Sequence, residues 1–260
     1  ALSAEQLDRV LAGIRRHFDL SSCVEFTVEA GRPDTVTEEK LQVIKDSGAT
    51  RISINPQTMG DKVHENIGRK HTAEQTVSAF NMARRHGFNN INMDLIAGLP
   101  GDSYETFKDT MAKISELDPE SVTVHTLSMK RSSKMTTGGD WPDVEVGKTA
   151  DKMLRYAKES LSAGGMKPYY LYRQSRTVGN LENTGFAKKG FEGLYNIYIM
   201  DETHTILACG ASGVTKLKAA DGYIERIFNY KYPYEYIARF EEMINRKSGI
   251  EKFYNEHPIK

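Results

Sequence analysis

Asn90-Ile91-Asn92-Met93-Asp94-Leu95-Ile96-Ala97-Gly98-Leu99-Pro100-Gly101 is the segment on which the fold turns. Ile91, Met93 and Leu95 alternate with Asn92 and Asp94, the period of a strand whose side chains point to opposite faces. Gly98 and Gly101 then permit backbone geometry closed to other residues, and Pro100 fixes the turn. A strand apolar on one face and polar on the other, followed by a tight turn and a helical pattern from Asp102, is one βα unit. The turn has no Gly-Lys-Ser/Thr run and no three-glycine fingerprint, so it reads as structural rather than as a nucleotide loop of those kinds.

The same unit recurs on both sides. Strand-like runs fall at Val24–Glu29, Arg51–Gln57 and Ser121–Thr126, and helical patterns at Ser3–Phe18, Thr35–Asp46, Thr72–Arg85 and Asp102–Leu117. The helices open on expected capping pairs: Ser3 with Gln6, Thr35 with Glu38, Thr72 with Gln75, and Asp102 with Glu105. Strand and helix alternate at about 30 residues, the signature of a parallel sheet. Each strand is two-faced. Glu25, Thr27 and Glu29 oppose Phe26 and Val28, while Arg51, Ser53, Asn55 and Gln57 oppose Ile52 and Ile54. Strands of a doubly wound sheet are apolar on both faces, so this pattern suits a barrel, closed or incomplete, with a polar interior that binds a ligand. An α/β sheet with one solvated face is the alternative.

Further along, Met129–Trp141 reads as a loop and Val144–Ala163 as a helix ending at Gly164 and Gly165. Tyr169–Arg173, Leu194–Met200 and His204–Cys209 read as strands, and Pro233–Lys247 as a last helix. The βα period breaks here, so the expected division is a barrel over 1–165 and a smaller lobe over 166–260.

Composition sets the outer limits. The 260 residues carry 35 basic and 35 acidic side chains, a balance with no electrostatic footprint for nucleic acid. No apolar run approaches the ~18 residues of a membrane helix, and no secretory leader is expected. Cys23 and Cys209 stand alone, which suits a reducing cytoplasm and offers no metal-ligand spacing.

Several residues are placed to do chemistry. Glu29 and Gln57 close their strands and Asp94 lies late in its own, where a βα barrel gathers its active site. Helix capping or loop bonding would use the same residue types. In Gly68-Arg69-Lys70-His71, Arg69 suits a carboxylate or sugar partner, or a solvated loop. Tyr169, Tyr170, Tyr172, Arg173 and Arg176, followed by Asn180, Asn183 and Asn196, either embrace a flat polycarboxylated ligand or pack as an ordinary Tyr-rich sheet. Arg173 is the best candidate contact among them.

Four segments in order carry a resemblance: Glu25-Phe26-Thr27-Val28-Glu29-Ala30, Gly48 through Gln57, Gly68-Arg69-Lys70-His71, and Asn90 through Gly101. Together they resemble the oxygen-independent coproporphyrinogen III oxidase family of radical S-adenosylmethionine (SAM) enzymes. The resemblance implies a partial (β/α)6-type radical SAM barrel with a C-terminal α+β lobe. It implies that Glu29 binds the amino group of the SAM on the cluster, and that Gln57, Arg69 and Asp94 contact a second SAM. Ser128 matches a main-chain contact to the first. The implied reaction is oxidative decarboxylation of two propionates of coproporphyrinogen III to give protoporphyrinogen IX in heme synthesis, with SAM, a [4Fe-4S] cluster and an external electron donor and acceptor.

The sequence departs from that family in one main respect. The Cys-x3-Cys-x2-Cys loop that binds the cluster is absent, and the chain opens on a helix. The expectation is therefore a piece of a longer protein lacking roughly the first two strands, with no cluster of its own, no radical activity alone, and a dimer through exposed barrel edges as an available assembly. Tyr169 through Gln174 and Asn180 through Asn183 resemble the coproporphyrinogen dehydrogenase branch. Heme chaperones on the same scaffold carry a His-Asn-x-x-Tyr-Trp motif where this chain has Tyr195-Asn196 and Ile199-Met200. The alternatives are a heme chaperone or a cluster-less interaction module. Anaerobic reconstitution of the chain with iron and sulfide is expected to leave no iron–sulfur absorbance band; a stoichiometric [4Fe-4S] spectrum would contradict this.

Overall fold

The computed structural model describes residues 2–128 and 144–258; the loop expected at Met129–Trp141 lies outside them. The chain divides into two compact units, 1–193 and 194–260. The sequence pattern had put the division at 165/166. It falls later because two strands beyond that point pair onto the main sheet.

The first unit carries strands β1 (Thr27–Gly31), β2 (Arg51–Ile54), β3 (Ile91–Ala97), β4 (Ser121–Thr126), β5 (Lys167–Tyr172) and β6 (Asn183–Ala187), in the order β1-β2-β3-β4-β6-β5. β1 to β4 are mutually parallel, whereas β6 runs antiparallel to both β4 and β5. The fold is α/β with a mostly parallel sheet, its edges at β1 and β5. Helices α1 (Ala4–His17), α2 (Glu38–Asp46), α3 (Asp61–Asn66), α4 (Ala73–Arg85), α5 (Tyr104–Leu117) and α6 (Val144–Ala163) complete it.

The apolar alternation dictates the core. Ile52, Ile54, Ile91, Met93, Leu95, Val122 and Val124 are fully buried and pack with Leu41, Ile44, Phe80, Phe107, Met111, Ile114 and Met153 of the helices. Each such side chain contributes roughly 1.5–3 kcal/mol of burial. The capping boxes at Ser3/Gln6 and Thr72/Gln75 form as expected. The other two shift. Pro33–Thr35 forms a 3-10 turn, so Thr37 caps α2 and accepts from the Lys40 amide. Ser103, with Thr106, caps α5 in place of Asp102. Gly98 and Gly101 adopt left-handed φ of 83° and 77°; a Cβ on Gly98 would press on Ala150 of α6, and one on Gly101 would overlap Asn66. The turn is structural.

The buried face of β4 is also tied at its start. Arg84 of α4 grips both oxygens of Glu120 at 2.8 Å, and Glu120 accepts the Ile91 amide at 2.9 Å. One carboxylate thereby fixes α4, β3 and β4 relative to one another.

The second unit is a hairpin of β7 (Val214–Lys218) and β8 (Ile224–Phe228) with helices α7 (Leu194–Asp201), α8 (Pro233–Ala238), α9 (Phe240–Lys247) and α10 (Gly249–Glu256). Leu217, Ala219, Ile227 and Phe253 form its small core. Leu194–Met200, expected as a strand, is helical; His204–Cys209 contributes only a bridge from Ile206 to Lys216. The helix expected at Pro233–Lys247 breaks at Arg239. No helix among the described residues is long and apolar enough to cross a membrane.

Gly185 of β6 sits between Thr123 of β4 and Tyr170 of β5, and the Tyr170 ring lies over it. A Cβ there would overlap the ring. Gly185→Ala should therefore destabilise the chain by about 1–3 kcal/mol, read as a lower urea midpoint, and Tyr170→Ala should absorb most of that loss in the double variant.

Candidate functional site

The polar faces expected from the sequence do converge, and they are not solvated. Arg51, Ser53 and Asn92 are 3%, 1% and 5% exposed, which excludes a sheet with a solvated polar face at these strands. Buried polar groups must find partners, and here they find each other across the strands. Parallel register sets Glu29 beside Ser53, Ser53 beside Asn92, and Asn92 beside Ser121. The result is a continuous ladder. Arg51 Nη2 donates to Ser121 Oγ at 2.9 Å, and Ser121 Oγ donates to Asn92 Oδ1 at 3.1 Å. Asn92 Nδ2 donates to Ser53 Oγ at 3.0 Å and to Asp94 Oδ1 at 2.8 Å. Ser53 Oγ donates to Asn55 Oδ1 at 2.6 Å, and Asn55 Nδ2 donates to Glu29 Oε2 at 3.1 Å.

Glu29 and Asp94, both candidates from the sequence, thus share one network, each at the middle of its strand, β1 and β3. Water reaches the Glu29 side chain, yet protein surrounds it closely enough to push its pKa up, with the Asp94 carboxylate adding to the rise; Asn55, Ser53 and Arg51 oppose it. This carboxylate suits an ammonium partner.

Gln57 joins the same place through its backbone. Its N–H donates to the Asp94 carbonyl at 2.9 Å and its own carbonyl accepts from Ile96 N–H at 2.9 Å. It holds a left-handed φ of 70°, uncommon outside glycine. Two buried histidines brace that turn: His64 and His71 Nε2 lie 2.9 and 3.1 Å from the Pro56 carbonyl, their rings 4.3 Å apart. A carbonyl only accepts, so both Nε2 atoms carry the hydrogen. Burial lowers the His71 pKa and favours that neutral form. Arg69, half-buried, precedes His71 and donates its N–H to the His64 carbonyl at 2.9 Å.

Ser128 follows β4 and bridges to Thr177, its hydroxyl donating to the Ser175 carbonyl at 3.2 Å. Arg173, the substrate candidate, lies one residue past β5 and pairs with Glu182 at 2.8 Å on the exposed surface. It alternates away from Tyr172, so the structure gives it a surface ion pair rather than a place on the ladder.

Sequence reasoning passed over His125. It shares the polar face with Ser121 and Thr123, an alternation visible in the β4 sequence. Its Nε2 lies 3.7 Å from Asp94 Oδ2, and its Nδ1 lies 3.3 Å from the Tyr172 hydroxyl. Tyr170 and Tyr172 are stacked with centroids 6.2 Å apart, forming an aromatic wall beside Asp94. Burial raises the pKa of both phenols. Asn183, opposite Tyr172, accepts the Thr126 N–H at 2.6 Å, while its buried Nδ2 has no partner among the described residues.

An iron–sulfur cluster does not fit the residues present. The two cysteines are distant in sequence, and no cluster of three or more His, Cys, Asp or Glu side chains among the described residues could share a metal. The acidic groups that solvent reaches on this face are Glu29, exposed, and Asp94, partly open, and carboxylates of this kind suit a cationic partner.

The family model described as the radical SAM superfamily matches residues 9–114. The chain is 43% identical over 249 residues to the oxygen-independent coproporphyrinogen-III oxidase-like protein HemZ of Bacillus subtilis, covering 95% of this chain and 50% of that protein. It is 34% identical over 220 residues to the heme chaperone HemW of Lactococcus lactis, covering 82% and 53%. The chain spans about half the length of the curated relatives it matches. Among solved structures, coproporphyrinogen III oxidase (HemN) from Escherichia coli aligns with a TM-score of 0.70 at 19% identity, over 93% of this chain and 54% of that one. That likeness concerns the fold.

Raised by burial, the Glu29 pKa makes ionised Glu29 a cost to the folded state: its stabilising contribution is full below the ordinary carboxylate range and is lost as pH rises through the raised value. Glu29→Gln, which keeps an acceptor for Asn55, should flatten the fall in melting temperature above that range while weakening any ammonium ligand. Thermal melts across pH 4 to 8 check the first part.

Proposed function

Since the chain belongs to the radical SAM superfamily, among relatives of coproporphyrinogen oxidases and heme chaperones, we propose that it forms the ligand-binding portion of an oxygen-independent coproporphyrinogen III oxidase. The observation that supports this reading is the buried polar ladder, which joins Glu29 of β1 to Asp94 of β3, with the Gln57 backbone bonded to the Asp94 carbonyl beside them. Radical SAM chemistry needs such an interior, polar enough to hold a charged cofactor and closed enough to protect a reactive species from water. The hydrogen abstraction would be supplied by SAM bound at a cluster held outside these residues.

Within that reaction the residues here bind and orient. Glu29 receives the ammonium of SAM, and Gln57, Arg69 and Asp94 hold a second SAM. The Ser128 backbone offers a further main-chain contact. Tyr170 and Tyr172 present a flat aromatic wall on which a planar ring system can lie. The substrate reading is oxidative decarboxylation of propionate side chains, with electrons passed to an external acceptor.

A second reading is favoured by a specific observation, the 34% identity to a heme chaperone. The two separate by experiment. A protein carrying this chain together with a cluster-ligating three-cysteine segment, reconstituted anaerobically, should convert coproporphyrinogen III to protoporphyrinogen IX with SAM and a reductant. Asp94→Asn should lower that rate by roughly tenfold or more. Stoichiometric heme binding without decarboxylation would replace the oxidase with the chaperone.

A further inference from the structure

Resting on the reading of Asp94 as a SAM contact, we infer that His125, held by Tyr172, is a positioning residue that presents the free oxygen of Asp94 to its ligand. The two Asp94 oxygens have different tasks. Oδ1 is committed to the ladder through Asn92 Nδ2 at 2.8 Å. Oδ2 faces His125 Nε2 at 3.7 Å, beyond a direct hydrogen bond.

Tyr172 decides which nitrogen faces the carboxylate. Its hydroxyl lies 3.3 Å from His125 Nδ1, with the rings edge-on at 6.4 Å. Donation from the phenol to Nδ1 leaves the hydrogen on Nε2, aimed at Asp94. The opposite tautomer would aim a lone pair at a carboxylate. Burial, with Asp94 nearby, keeps the Tyr172 proton in place to make this donation.

The 3.7 Å gap then acquires a use. Oδ2 accepts and Nε2–H donates into the same space, and both side chains are partly open, at 20% and 26%. A hydroxyl group can donate to the first and accept from the second, so the pair selects an O–H over a group that only accepts or only donates. The groups facing His125 are Asp94 from β3, Tyr172 from β5 and, by register, Asn183 from β6. His125 and Tyr172 are fixed before any ligand arrives, and preorganisation of this kind lowers the entropic cost of binding.

The test is a double-mutant cycle on the 260-residue chain, with SAM affinity measured by calorimetry. His125→Phe should weaken binding about five- to tenfold, and Tyr172→Phe less. His125→Gln, whose amide can still donate to Asp94, should restore most of the affinity. In the Asp94→Asn background, His125→Phe should cost nothing further, since coupled residues are not additive. Unchanged affinity in His125→Phe, or the same fold loss in both backgrounds, would overturn the positioning role. Unchanged affinity in Asp94→Asn would instead remove the SAM reading of Asp94 itself.

Discussion

A sheet face that is polar and yet sealed from water has to satisfy itself sideways, and everything at the site follows from that constraint. Unpaired buried donors and acceptors each cost a few kcal/mol, on the order of 1–3. Neighbouring strands lie about 4.8 Å apart, a span that Ser, Thr and Asn can bridge directly. Those are the residues found at Ser53, Asn55, Asn92, Ser121 and Thr123. Arg51 is the exception in size because its task differs. From β2 it reaches over β3 to Ser121 on β4, and Gly193 leaves it room, since a Cβ there would overlap the guanidinium.

The ladder is also graded. Arg51, Ser53 and Asn92, on the inner strands, are sealed; Asp94 and His125, further along β3 and β4, open partly, and Glu29, level with Ser53 on the edge strand β1, is reached by water. A rigid, fully paired floor therefore carries a partly unsatisfied rim. Both Glu29 and Gln57 depend on this: one is tethered by Asn55, the other by the Asp94 carbonyl.

How much of this was legible in the sequence depends on whether the signal was local. Strand parity at Glu29, Ser53 and Asp94 was readable because period-two alternation is local. The caps at Thr37 and Ser103 were displaced by one or two residues because Pro33 diverted Thr35 into a 3-10 turn and Thr106 answered Ser103. Leu194–Met200 looked like a strand from its β-branched and aromatic run, yet it coils into a helix with no buried residue. β6 was silent because Asn183-Thr184-Gly185 has little strand propensity; its place is set by Tyr170, which needs the missing Cβ at Gly185. The His125–Tyr172 pairing was out of reach for the same reason. It depends on an antiparallel strand and on the register shift between Pro168 and Tyr170.

Charge gives the rim its chemical preference. Burial, with the Asp94 carboxylate nearby adding to it, raises the cost of ionising Glu29, while Arg51, a cation on this face, lies sealed lower on the ladder. An anion arriving at the rim would add to that repulsion, and a neutral group would leave it unchanged. A ligand carrying positive charge relieves it, and the folding cost of two neighbouring carboxylates becomes a binding gain. On the proposed reading, SAM would bring an ammonium and a sulfonium against its single carboxylate, and its net positive charge laid over the two acids would make the rim more receptive to the propionates of a tetrapyrrole.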